Sequence, residues 1–243
     1  MKYVILTLIF LQTIYAQNSL KVSYTIKYST EVYNEKTGTL WLDLKNNKSV
    51  FLISTSILKK ELPKENNQIN ILQKEIERYV SIDFAKDSLI FKEQINDEIF
   101  IINESVPKMI WKLMPNSTKK IGNFNCYQAT TNFRGRNYIA WYSPEYPYQI
   151  GPWKFNGLPG LIMEIHDDIN RYYWGVTKIE YTNEKVNLLS EKKLYQNIDL
   201  KKYVELRYDK IMDNISARLP RGTQTQTIKA KRNSIEIKFE WEN

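Results

Sequence analysis

The chain has 243 residues, room for one large domain or two small ones, and its 42% apolar and 13% aromatic content can bury a substantial core, which excludes wholesale disorder. A formal charge of +8, from 35 basic and 27 acidic residues, favours acidic surfaces such as anionic lipid or polyanions. The two signs are interspersed with no long run of either, so the basic excess reads as solvated surface and not as a nucleic-acid-binding face.

At the N-terminus, Lys2 is followed by an apolar run from Tyr3 to Tyr15, broken only by Thr7, Gln12 and Thr13. Ala16 then offers a small residue at which a signal peptidase can cut before Gln17. Residues 1–16 are expected to be a cleaved signal peptide and 17–243 a single exported β-rich domain. No later segment approaches the roughly 18 apolar residues of a spanning helix, so no transmembrane span is expected after leader removal. Cys126 is the only cysteine; it excludes an internal disulfide and reads as a small buried hydrophobe.

Leu20 to Val32 alternates, with Val22, Tyr24, Ile26 and Tyr28 against Lys21, Ser23, Thr25 and Lys27, the period of a half-buried strand. Asn34 to Gly38 carries turn chemistry, Thr39 to Leu44 resumes the alternation, and Asn46-Asn47 turns the chain into Ser49 to Ser54. Leu58 to Gln73 reads as a solvated excursion, with a helical turn or two from Asn70 to Tyr79. Strand signals return at Tyr79 to Phe84, Ser88 to Lys92 and Ile99 to Asn103. The run through Met109, Trp111 and Leu113 is expected to end at Pro115-Asn116. Asn123 to Phe133 leads to Arg134-Gly135-Arg136, a bulge or tight bend, and Tyr138 to Tyr142 continues as a strand.

Between Pro144 and Gly160 lie four of the eight prolines and three of the eight glycines, together with Tyr146, Tyr148, Trp153 and Phe155. Such density marks an ordered aromatic loop, because proline fixes φ and glycine permits close backbone approach. Leu161 to His166 and Arg171 to Tyr181 then read as a hairpin across Asp167-Asp168-Ile169-Asn170. From Asp199 to Leu219 the apolar spacing changes to three and four, an amphipathic helix stopped by Pro220 and Gly222. Ile228 to Trp241 reads as a last strand with Ile235, Ile237, Phe239 and Trp241 on one side. The fold expected is mainly β: a large curved antiparallel sheet or open half-barrel with a C-terminal α-helix packed on it.

His166 is the only histidine, and no nucleophile elbow, Walker sequence or metal-spaced cluster occurs, so no catalytic residue, metal or cofactor is assigned. Glu164, His166, Asp167 and Asp168 are better explained by the hairpin than as a weak cation site. Glu145 is the acid to inspect if fold-assembled carboxylates act in hydrolysis. The ligand-binding candidates are Arg134, Arg136, Trp141, Tyr142, Glu145, Tyr146, Trp153 and Lys154. Arginine beside aromatic faces can clamp a carboxylate or phosphate while the rings carry an apolar load. The structural alternative is that the rings pack the loop onto the sheet.

Gly157-Leu158-Pro159-Gly160-Leu161-Ile162 spells GLPGLI, with NFNCYQATTNFRGRNYIAWYSPE upstream and GPWKFNG immediately before it. This resembles the GLPGLI family, exported proteins of Bacteroidota-type Gram-negative bacteria defined by that hexapeptide, most densely from Ile110 to Glu180. The resemblance implies a periplasmic, outer-membrane-associated or secreted protein of unassigned activity and brings no catalytic residues. A sheet wrapped on a helix is similar to the periplasmic lipoprotein-carrier shape at fold level only. The function expected is a non-enzymatic envelope binding or carrier protein for an apolar or amphipathic ligand. The alternatives are an extracytoplasmic hydrolase and an accessory that binds an envelope protein.

Overall fold

In the computed structural model, residues 18–31, 33–54, 76–184, 195–209 and 232–242 are described. The expected signal peptide and the excursion from Leu58 to Gln73 lie outside them, as does the expected helix beyond Asp209. The chain first lays down a six-strand meander: β1 (Ser19–Ser29), β2 (Tyr33–Asp43), β3 (Lys48–Ile53), β4 (Arg78–Asp83), β5 (Ser88–Ile95) and β6 (Glu98–Glu104). It then crosses to β7 (Lys112–Ile121) and returns through β8 (Phe124–Phe133), β9 (Arg136–Ser143), β10 (Leu161–Asp167) and β11 (Tyr172–Thr182). β11 pairs with β1, which joins both runs into one open sheet that a short β12 (Gln196–Asp199) extends at one edge, in the order β12-β6-β5-β4-β3-β2-β1-β11-β10-β9-β8-β7. Neighbours are antiparallel except at that edge, where β12 runs parallel to β6.

Period-two patterning decides which face is inside. Leu20, Val22, Tyr24 and Ile26 of β1, Leu40 and Leu42 of β2, and Val80 and Ile82 of β4 are all buried on one face. That face is concave, and one contact proves the curl. Seven strands separate β6 from β9, which in a flat sheet would place them roughly 38 Å apart. Yet Glu104, at the end of β6, accepts a hydrogen bond at 2.6 Å from Arg134 in the turn before β9. The sheet therefore bends into a half-barrel.

Four local expectations need correction. Asn34 to Gly38 is no turn; β2 runs straight through it. Pro115 does not end its strand, because β7 is an edge strand and absorbs the missing donor in a bulge between Met114 and Thr118. Arg78 to Asp83 is strand, so the helical turn does not reach Tyr79. Residues 232–242 form an irregular strap and not a strand: Glu236 and Phe239 are both buried, which alternation forbids, and the strap's hydrogen bonds go to the β8–β9 turn. The helix is present as α1 (Leu200–Val204), capped by the Asp199 side chain on the Lys202 amide and continued by a π-helical turn, Glu205–Asp209. Its buried residues Leu200, Tyr203 and Val204 face the concave side.

Candidate functional site

Arg134 and Gly135 form a two-residue hairpin turn with φ of 45° and 83°, closed by the Phe133–Arg136 pair. Positive φ at both positions is the twist-compatible type I′ geometry, and glycine supplies one of the two without strain. The turn sends both arginines inward. Arg134 donates to Glu104 at 2.6 Å, to Glu236 and to Glu240 at 2.9 Å. Lys154 lies 2.5 Å from Glu104 and 3.0 Å from Glu236, so two cations and two carboxylates form a buried quartet. Burial alone would raise the Glu104 pKa, but Lys154 and Arg134 outweigh it and hold the carboxyl below its usual range. For Arg134, burial disfavours the charge, yet Glu236 and Glu104 reverse that and raise its pKa. Arg136 is placed beside this quartet, donating to the Ser234 carbonyl at 2.7 and 2.9 Å and to buried Asp167 at 3.1 Å.

The aromatic loop occupies the hollow as a plug. Trp153, Phe155, Leu158 and Ile150 are buried. Trp153 stacks on Trp174, and Phe155 meets Tyr138 edge-on at 4.8 Å. Each such side chain contributes about 1.5–3 kcal/mol by leaving water. The hexapeptide fastens the plug. Leu158, Leu161 and Ile162 are buried, Gly157 and Pro159 are exposed, and the Leu161 and Ile162 amides donate to the carbonyls of Tyr146 and Ile150. Gly160 sits so close to the end of β9 that a Cβ there would lie 2.3 Å from the Ser143 carbonyl oxygen. From the β6–β7 crossover, Trp111 donates its indole N–H to the Asn156 carbonyl at 2.8 Å.

The plug does not fill the hollow completely. A cavity of about 410 Å³ remains between the inner face of β2–β5, the plug, α1 with its π turn, and the strap. Its apolar lining includes Ile53, Val80, Phe91 and Trp153, with Tyr28, Tyr172 and Tyr203 adding rings that end in hydroxyls. Lys36, Arg78, Lys154 and Arg207 bring cations, Glu93 and Glu236 carboxylates. The volume falls in the usual range of small-molecule sites, roughly 300–1,000 Å³.

The eight sequence candidates therefore divide. Trp153 and Lys154 line the cavity, while Arg134 and Arg136 lie behind it as anchors for plug and strap. Tyr142 is buried beside Tyr127. Tyr146 packs edge-on against Phe124. Trp141, in the opposite phase of β9, lies on the outer face under the Lys119 ammonium, 4.5 Å from its ring. Glu145 is exposed and accepts the Asn125 amide at 3.0 Å. The acidic residues near the hairpin serve separate partners: Glu164 binds Lys119, Asp167 takes the Arg171 and Tyr172 amides, and Asp168 takes Asn137. Burial pushes the Cys126 thiol up to about 11, the wrong direction for an attacking thiolate. Among the described residues, no helix is long and apolar enough to cross a membrane.

Sequence reasoning missed Lys36, Arg78, Tyr203 and Arg207 as lining residues. Two carried a signal. Lys36 is in phase with Leu40 and Leu42, and Arg78 with Val80 and Ile82, which marks charges pointing inward.

A family model described as "Protein of unknown function (Porph_ging)" matches residues 134–164, the stretch from the Arg134 turn through the plug to the first strand residues after it. No curated protein matches the sequence. Among solved structures, the chain is similar to PNGF-II in its P21 crystal form, with a TM-score of 0.53 and 14% identity over 78% of this chain and 33% of that one. The C2 form of PNGF-II gives 0.52 and 14% over 77% and 32%. A LolA superfamily protein from Nitrosomonas europaea superposes at a TM-score of only 0.32 with 9% identity, over 71% of this chain and 89% of that one. The chain spans about a third of PNGF-II, and at this identity the likeness is one of fold alone.

Proposed function

We propose that the protein is an exported envelope protein of the GLPGLI type that binds or carries an apolar or amphipathic small molecule in the hollow of its half-barrel. The observation that carries this reading is the cavity of about 410 Å³ left between the plug and the inner face of β2–β5. A fold that only needed stability would close such a space, because an unfilled cavity forfeits packing energy. Here the core is dense on either side of it, with Trp174, Phe155 and Phe51 almost fully buried. Trp153 and Phe91 offer ring faces to an apolar body, and the tyrosine hydroxyls offer polar contacts that fix orientation. The plug's role is to set the depth of the site, and the ion quartet's role is to hold plug and strap in register.

The test is titration of the purified mature chain with the fluorescent apolar amine N-phenyl-1-naphthylamine. Saturable enhancement with one site per chain is expected, together with its loss in Val80→Phe, which fills the cavity from β4. Unsaturable enhancement, or enhancement unchanged in a folded Val80→Phe variant, would sink the reading.

A further inference from the structure

The tyrosine hydroxyls that line the cavity are not all employed by the protein. Tyr172 donates to the Asn233 carbonyl at 3.2 Å, and the Tyr208 hydroxyl pairs with that of Ser234 at 2.7 Å, so both are spent on the strap. Tyr28 and Tyr203 differ. Both line the cavity, and among the described residues neither hydroxyl has a hydrogen-bond partner. Tyr203 is only 7% exposed, and its ring is fixed edge-on against Phe91 at 5.5 Å. Tyr28 is fixed in the same way against Tyr172, its partner across the β1–β11 pair, at 5.4 Å. A hydroxyl withdrawn from water is ordinarily bonded, because leaving water without a partner is costly. Two unmet hydroxyls on one cavity wall point to a guest that supplies what is missing.

Beside them stands a carboxylate with lone pairs to spare. Glu93, two residues beyond Phe91 on β5, lines the same cavity. The Arg78 Nε lies 3.1 Å from it, yet that buried N–H forms no hydrogen bond. Burial, reinforced by Glu93, pushes both phenols well above their ordinary range and keeps them donors. The cavity thus presents two donors and an acceptor among groups whose charges already face a partner: Arg78 faces Glu93, and Lys154 faces Glu104 and Glu236. Arg207 donates to the Gln94 carbonyl at 3.3 Å. An anionic guest would meet Glu93 and Glu236, a cationic one Arg78 and Lys154, and either would bring buried charge without a counter-ion. A hydroxyl brings none: its oxygen accepts from a phenol and its proton goes to a carboxylate.

Resting on the carrier reading above, we infer that the guest is an uncharged amphiphile with a hydroxyl-bearing head group. The head group accepts from Tyr203 and Tyr28 and donates to Glu93, and the apolar chain lies over Val80, Phe91 and Trp153.

The experiment is a calorimetric titration of the purified mature chain at neutral pH with 1-octanol, octyl methyl ether, octanoate and octyltrimethylammonium, each below its solubility or micelle limit. 1-Octanol should bind tightest. The ether, which accepts but cannot donate, should bind about three- to tenfold weaker, and the two charged probes at least about tenfold weaker. Tyr203→Phe removes one oxygen and keeps the ring. It should weaken 1-octanol by about three- to tenfold and leave the urea midpoint unchanged, since the hydroxyl has no protein partner to lose. Octanoate or octyltrimethylammonium matching 1-octanol would overturn the uncharged head group and leave the carrier reading standing. An ether as tight as 1-octanol would overturn the bond to Glu93, and with it the hydroxyl. Unchanged 1-octanol affinity in Tyr203→Phe, or a lowered urea midpoint, would overturn the role of the phenol. No binding by any of the four probes would overturn both readings.

Discussion

At the scale of single residues, the Arg134–Lys154–Glu104–Glu236 quartet governs the interior. All four side chains are less than a tenth exposed, so none relies on water for its charge. Removing one member leaves an uncompensated buried charge, which costs more than the intact set contributes. Lys154→Met is therefore expected to destabilise by about 3–5 kcal/mol in urea unfolding, and adding Glu104→Gln should recover part of that loss. An additive double variant would contradict the coupling. The same quartet sets a pH dependence. The Glu104 carboxyl, ordinarily near 4.5, is held lower in the folded chain, so its contribution is complete above that value and fades as pH falls through the depressed one. The urea midpoint of the natural chain should fall more steeply below about pH 4.5 than that of Glu104→Gln. Parallel slopes would show that Glu104 keeps its ordinary pKa.

At the scale of elements, the plug and the strap are the parts that could be displaced. Gly160→Ala forces a Cβ against the Ser143 carbonyl, backbone against backbone, and should lower stability by about 3 kcal/mol or more in the same assay. Arg136 holds the strap through the Ser234 carbonyl. Loss of those charge-assisted bonds in Arg136→Ala should speed amide exchange at Ile237 and Lys238, which bond to the Arg134 carbonyl, by roughly ten- to hundredfold. Unchanged protection there would mean that the strap does not depend on Arg136. The strands were legible in the sequence because a one-sided core imposes a period of two, as in Leu20, Val22, Tyr24 and Ile26. The strap was not. Its Ile235, Ile237 and Phe239 alternate like a strand, but the backbone follows Arg134 and Arg136 instead of a neighbouring strand. Pro115 misled for a related reason: a breaker in a central strand is tolerated at an edge.

At the scale of the whole molecule, curvature makes the site, because it brings strands far apart in sheet order around one hollow. The sequence stretch from Trp141 to Ile162 announced an ordered aromatic loop, and Trp153 and Lys154 do reach the cavity. Glu104 and Glu236, the partners of Arg134 and Lys154, were not legible; they come from residues 30 and 102 positions away from Arg134 in the chain. The cavity-lining Lys36, Arg78 and Arg207 likewise come from β2, β4 and the π turn, which only the curled sheet and helix bring together. The claim that most depends on this assembly is that the hollow is a ligand site and not a packing flaw. Native mass spectrometry of the protein released from its own cell envelope tests it most directly. A single adduct of small-amphiphile mass on most chains, absent from a folded Val80→Phe variant prepared in the same way, is the predicted result. Chains at their bare mass that also fail to take up added N-phenyl-1-naphthylamine would contradict it.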